Sequence, residues 1–172
     1  TEPVYYLDFE SFQDVVPRFN QQRPYQQVPF QYSLHIQTGQ EIAHHEYLAD
    51  EKLDPRREIA ERLLVDLGDQ GSIVAFNMAF EKSIIKDLAR LFPDLGEKLL
   101  HLNKRFIDLV EPFRQGGYYD EKMNGSFSIK AILPALFPGD EALSYKHLSI
   151  QDGNAASEIF ARLYQNTNPD EV

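Results

Sequence analysis

Hydrophobic and polar positions alternate along the first third of the chain and then change to a helical spacing. Val4 to Phe9 reads as a strand almost from the first residue. Residues 12–29 are polar and interrupted by Pro17, Pro24 and Pro29, with Gln at 21, 22, 26 and 27, which reads as a loop. Phe30 to Gln37 alternates again, placing Phe30, Tyr32, Leu34 and Ile36 on one face of a strand. Gly39 makes a turn, and Ile42 to Leu48 returns as the partner of a hairpin.

Helical spacing begins at Asp54-Pro55, a cap followed by a first-turn proline. Ile59, Leu63, Leu64 and Leu67 then recur on one stripe, and Gly68 ends the helix. Ser72 to Phe76 is a short buried strand. A second helix carries Phe80, Ile84, Ile85, Leu88, Leu91 and Phe92 as far as Pro93, and a short one follows near 94–102. Arg105 to Val110 is strand-like, and Gln115-Gly116-Gly117 is a loop. Residues 128–137 predict a helix broken at Pro134, and residues 154–164 predict a last one before a polar, acidic end. A hairpin followed by alternating strands and helices predicts an α/β fold with a mixed sheet and helices on both faces. One domain over residues 1–172, belonging to a longer chain, is the expected organisation.

Composition narrows the chemistry. The 172 residues hold 17 basic and 27 acidic side chains, a net charge of −10, which argues against broad, charge-driven association with nucleic acid or anionic membranes. A nucleic-acid enzyme whose metal ions supply local positive charge stays open. There is no cysteine, so disulfides, thiolate zinc sites and cysteine nucleophiles are excluded. No apolar run is long enough for a membrane helix and no signal peptide is recognisable, so the expected compartment is the cytoplasm. The Walker, dinucleotide-binding, nucleophile-elbow and H-E-x-x-H signatures are missing.

Three segments carry candidate chemistry. Asp8 and Glu10 stand two apart on a strand and share a face, with Leu7 and Phe9 on the other. Two neighbouring carboxylates repel and need a cation or a shared proton, and oxygen-only donors favour Mg²⁺ or Mn²⁺. A strand end with both groups solvated is the plainer alternative. Asn77 follows the buried strand and is placed to cap the second helix. Glu81 lies on the core-facing stripe of that helix, at its positive end, either turned inward or simply serving the dipole. Late in the chain, His147 precedes Asp152 by five residues. They form a general base and a carboxylate ligand, or a loop residue and a helix cap. His44 and His45 are adjacent, hence on opposite strand faces, and do not make a metal site. Gly116-Gly117-Tyr118-Tyr119 reads as a surface turn, with base stacking by the tyrosines as the alternative.

Taken together, D-x-E at Asp8-Phe9-Glu10, N-x-x-F-[DE] at Asn77 to Glu81 and a late Asp resemble the RNase H-like 3′–5′ exonucleases of the four-carboxylate (DEDD) type. More narrowly, YLDFES, VAFNMAFEKSIIKDLA, DLVEPF, SIKAILP and IQDGNAA are similar to an uncharacterised bacterial domain family assigned to that superfamily. The resemblance implies an RNase H-like fold and metal-dependent 3′–5′ hydrolysis of single-stranded nucleic acid. Asp8, Glu10, Glu81 and Asp152 would hold two Mg²⁺ or Mn²⁺ ions, with His147 as general base and Phe9 and Asn77 touching substrate. Lys82, Lys86, Lys130 and Lys146 are candidate phosphate contacts. The chain departs from the pattern at Glu81, usually Asp. Its late Asp also fits two forms: His147 with Asp152, or a Y-x-x-x-D segment lying beyond Val172. A catalytically silent nuclease fold that binds nucleic acid or a protein partner is the alternative function. Asp8 and Glu10 lie too close together for the acid and base of an inverting glycosidase.

Overall fold

The computed structural model describes residues 1–50, 52–140, 143 and 156–160. Three strands open it: β1 (Val4–Phe12), β2 (Val28–Thr38) and β3 (Glu41–Leu48). Helix α1 (Arg56–Leu67), strand β4 (Ser72–Ala75), helices α2 (Ala79–Leu91) and α3 (Pro93–Leu102) and strand β5 (Phe106–Asp108) follow. Then come a short helix α4 (Glu111–Arg114), a 3₁₀ turn (Glu121–Met123) and helix α5 (Ile129–Leu136). Among the described residues the sheet has five strands in the order β3-β2-β1-β4-β5. The hairpins β1–β2 and β2–β3 are antiparallel, whereas β1–β4 and β4–β5 are parallel. This is the α/β mixed-sheet arrangement expected, with RNase H-like topology.

Period-two alternation in β1 separates core from surface. Tyr5, Leu7 and Phe9 are buried, while Tyr6 and Asp8 are exposed. Register pairs Leu7 with Leu34 and Phe9 with Tyr32, so the buried side of β1 continues into β2. Ile59, Leu63 and Leu67 of α1, Ile84, Ile85 and Leu88 of α2 and Leu99 of α3 complete this core. Each such side chain contributes roughly 1.5–3 kcal/mol by leaving water. Phe160, in the described helical stretch 156–160, stacks on Phe30 with ring centroids 4.2 Å apart, and the Ser157 hydroxyl donates to the Ser11 carbonyl at 2.6 Å. The late part of the chain therefore returns to the end of β1.

Several boundaries differ from the sequence expectation for local reasons. Strand β1 runs on to Phe12, because Phe12 pairs with Val28 past a register shift between Glu10 and Ser11. Pro29 lies within β2 opposite Ser11, at that shift, where a strand tolerates proline. Helix α1 starts one residue later than expected, yet Asp54 still accepts a first-turn bond from the Arg56 N–H at 3.1 Å. Helix α5 is not broken at Pro134 but passes through it and ends two residues later, with the Phe137 N–H bonded to the Leu133 carbonyl at 3.0 Å.

A second, smaller apolar cluster holds the region after β5. Met123, Ile132 and Ala135 pack there with Phe76 and Phe113. Arg105 joins the two halves of the parallel sheet edge. Its guanidinium donates to the carbonyls of Leu67 at 3.0 Å, Gly68 at 2.5 Å and Gly71 at 2.9 Å, and to that of Gln70. The turn that follows α1 is thereby fixed against β5. Among the described residues no helix is long and apolar enough to cross a membrane.

Candidate functional site

The sheet itself creates a place for chemistry. Strand β1 runs on to β2 on one side, whereas its parallel neighbour β4 runs on through α2 and α3 to β5 on the other, so the chain leaves the carboxyl ends of this pair in opposite directions. Such a switch point leaves a crevice beyond the carboxyl ends of the parallel strands. Pairing between β1 and β4 covers only Val4 to Tyr6. Asp8 and Glu10, further along β1, therefore project past the end of β4. Strand periodicity puts both on one face, and Asp8 lies opposite Ser33 and Glu10 opposite Gln31 in β2.

Chain leaving β4 turns sharply at Asn77, whose φ of 67° is left-handed, and enters α2. Glu81 sits in the first turn of that helix and is only 4% exposed. Burial pushes its carboxyl up to about 7; its own backbone N–H counteracts this, while the charges of Asp8 and Asp108 add to it. Its Oε2 is buried without a hydrogen-bond partner. Asp8 presents surface to solvent, yet the surrounding protein still raises its carboxyl above the ordinary value by desolvation. The result is a set of mutually repelling carboxylates with a buried, unpartnered oxygen among them. Among the described residues no three His, Asp or Glu side chains converge closely enough to enclose a metal ion.

Asp108 was not among the expected site residues. Pairing of β5 with β4 sets it beside Ala75, and its carboxylate accepts from the N–H groups of Asn77 at 2.8 Å, Met78 at 3.2 Å and Val110 at 3.1 Å. It thus caps α2 from a neighbouring strand. This corrects the expectation that Asn77 would cap the helix: Met78 holds the cap position, Asn77 lies one residue before it, and no side-chain cap bond is made there. Asn77 is exposed, and its Oδ1 instead accepts from Arg114 Nη2 at 3.1 Å. The sequence signal for Asp108 is its place at the end of a short apolar strand, in DLVEPF, but only parallel pairing shows what it touches.

The other expected residues divide clearly. Phe9 is 3% exposed and packs edge-to-face on Tyr32 at 6.1 Å, so its side chain belongs to the core rather than to a substrate surface. His147, Asp152 and Lys146 lie outside the described residues. Lys86 and Lys130 are exposed, and Lys82 is half-buried with its carbonyl accepting from Asn103 at 3.1 Å. His44 and His45 do point apart: His44 stacks on His35 at 4.4 Å, whereas His45 lies 3.1 Å from Asp66 of α1. Tyr118 and Tyr119 are exposed, the former edge-on to Phe113 at 5.9 Å.

Comparison with known proteins fits a family without an assigned activity. Residues 5–128 match the family described as a domain of unknown function, DUF2779, and the chain belongs to that family. It is 26% identical to an uncharacterized protein, MG366, of Mycoplasma genitalium over 94% of its own length. It is 23% identical to the homologue of that protein in Mycoplasma pneumoniae over 96% of its length. The chain spans only 26% and 27% of those two proteins.

Proposed function

We propose that this domain is a metal-dependent nuclease of the RNase H-like exonuclease type, acting on the 3′ end of single-stranded nucleic acid. The observation that carries the reading is Glu81. A carboxylate buried to 4% exposure, with an unpartnered oxygen and two other carboxylates in electrostatic range, is costly in its charged form unless a proton or a cation neutralises it, and above neutral pH that falls to a cation. The donors are all oxygen, which suits Mg²⁺ or Mn²⁺. The carboxylates lie at the switch point of the sheet, where a substrate can approach.

Asp8, Glu10 and Glu81 are the ligands assigned to such ions. The described carboxylates do not enclose an ion by themselves, and a late carboxylate completes the set. Asp152 is the candidate within the chain. Bound divalent ions would supply an activated water and charge stabilisation for the leaving 3′-oxygen. The chain's own residues hold the carboxylates rigidly: β1 by its core side chains, α2 by the Asp108 cap. His147 is assigned as general base in the arrangement that uses Asp152.

A second reading has one observation in its favour. Because no three-ligand group closes among the described residues, a silent nuclease fold that binds nucleic acid or another domain of the same protein is the rival. The test is degradation of a 5′-labelled single-stranded oligonucleotide with Mn²⁺ or EDTA, for wild type beside Asp8→Asn. A metal-dependent ladder shortening from the 3′ end, absent in the variant, supports the nuclease. Binding without cleavage, equal in both proteins, supports the silent module.

A further inference from the structure

We infer that Arg114, held on Asn77 at the entrance to α2, is an oxyanion site that grips a phosphate of the substrate strand beside the carboxylates. The inference rests on the nuclease reading and adds to it the group that offsets a protein of net charge −10.

The starting point is how the arginine charges are used. Arg18 is paired with Asp14, Arg56 with Asp54, Arg57 with Glu61 and Asp94, Arg62 with Glu58 and Arg90 with Asp87. Arg105 is committed to four backbone carbonyls. Arg23 and Arg114 differ: among the described residues neither has an acidic partner, and of the two only Arg114 stands at the entrance to α2. The Arg114 guanidinium is exposed and bonds the amide oxygen of Asn77, a neutral acceptor. Its charge therefore stays available to an anion, with the remaining donors of the planar fork that matches phosphate.

Placement makes that charge specific. Asn77 precedes Glu81 by four residues, about one helical turn, so Arg114 is tied to the same end of α2 that presents the buried carboxylate. At that entrance Asp108 holds the Asn77 and Met78 N–H groups, so these two are not offered to an anion. Helix α4 offers the side chain from a fixed base. Val110 before it is fully buried, Phe113 packs into the Met123 cluster, and Gly117 N–H bonds Pro112 carbonyl at 2.8 Å. A side chain at Gly117 would come within 2.9 Å of that carbonyl, so the turn after Arg114 is close-packed. Asn77 also keeps its left-handed backbone while its amide engages Arg114, which joins the turn to the cation.

The test measures binding, not cleavage. Fluorescence anisotropy of labelled oligo-dT and oligo-U is recorded with Ca²⁺ in place of Mg²⁺, across a salt series, for wild type, Arg114→Ala and Arg23→Ala. Arg23 is exposed in the 13–27 loop, beside the far end of α2 near Arg90 and Leu91, and removes the same charge from a different place. Arg114→Ala is expected to weaken binding roughly five- to tenfold and to reduce the slope of log affinity against log salt by about 0.7. Arg23→Ala should leave both unchanged. Asn77→Asp, which keeps the anchor but pairs the guanidinium, should copy the slope change of Arg114→Ala. Equal losses in the two arginine variants, or an unchanged slope in Arg114→Ala with a native circular dichroism spectrum, would overturn the inference alone. Failure of wild type to bind either oligonucleotide would overturn the nuclease reading with it.

Discussion

Replacing Glu81 by Gln isolates the energetic cost of the carboxylate cluster. In the folded protein the Glu81 carboxyl is pushed up to about 7 from an ordinary 4.5, chiefly by burial and further by Asp8 and Asp108. A difference of about 2.5 pH units corresponds to roughly 3 kcal/mol at about 1.4 kcal/mol per unit. Folding makes this group hold its proton more tightly, so between pH 4.5 and 7 the folded state binds more protons than the unfolded one. Stability must then fall as pH rises through that window, with the full cost present above pH 7. Asp8 shifts in the same direction and adds to the fall. The assay is urea denaturation in EDTA at pH 5, 6, 7 and 8 for wild type and Glu81→Gln. The variant should be roughly 2–3 kcal/mol more stable than wild type at pH 8, and the gap should close toward pH 5. Mn²⁺ should stabilise wild type and leave the variant nearly unmoved. A variant no more stable than wild type at pH 8, with the same pH dependence, would refute the claim that Glu81 is an uncompensated buried acid.

Three further outcomes follow from the packing around the site. Phe9→Ala should cost about 3–5 kcal/mol of stability in chemical denaturation, because the ring is enclosed between β1 and Tyr32 rather than facing a substrate. Asp108→Asn removes a charged acceptor of three backbone N–H groups and should lose roughly 1–2 kcal/mol, seen as faster amide exchange at Asn77, Met78 and Val110. Arg105→Met strands the carbonyls of the turn after α1 and should lower stability by at least about 2 kcal/mol in urea, with little effect on metal binding at the distant carboxylates.

Much of the fold was legible because it rests on short-range pattern. Alternation at Phe30 to Ile36 and the turn at Gly39 identify the hairpin, and helical spacing identifies α1 and α2, since each face must reach one core. Boundaries were lost where tertiary partners override local preference: β1 lengthens because Val28 lies opposite Phe12, and α5 continues through Pro134. The site was legible in part for the same reason. Asp8 and Glu10 share a face by strand periodicity alone, and Glu81 turns inward because its helical stripe does. Asp108 and Arg114 were not legible, because their roles depend on β5 pairing with β4 and on α4 folding back toward Asn77, contacts separated by about thirty residues or more. Asn77 shows the same limit. Its residue type suits a cap, but the helix begins one residue later than that role needs, with Met78 at the cap position and Asp108 of a neighbouring strand bonding the Asn77 and Met78 N–H groups.

The most direct test of the central claim is Mn²⁺ binding followed by electron paramagnetic resonance at pH 7.5, for wild type, Asp8→Asn and Glu81→Gln. If the repelling carboxylates beyond β4 form a cation site, wild type takes up Mn²⁺ stoichiometrically and each variant loses most of that uptake while retaining its fold. Uptake by wild type no greater than by the two variants would show that these carboxylates do not hold a metal, and the proposed nuclease chemistry would lose its foundation.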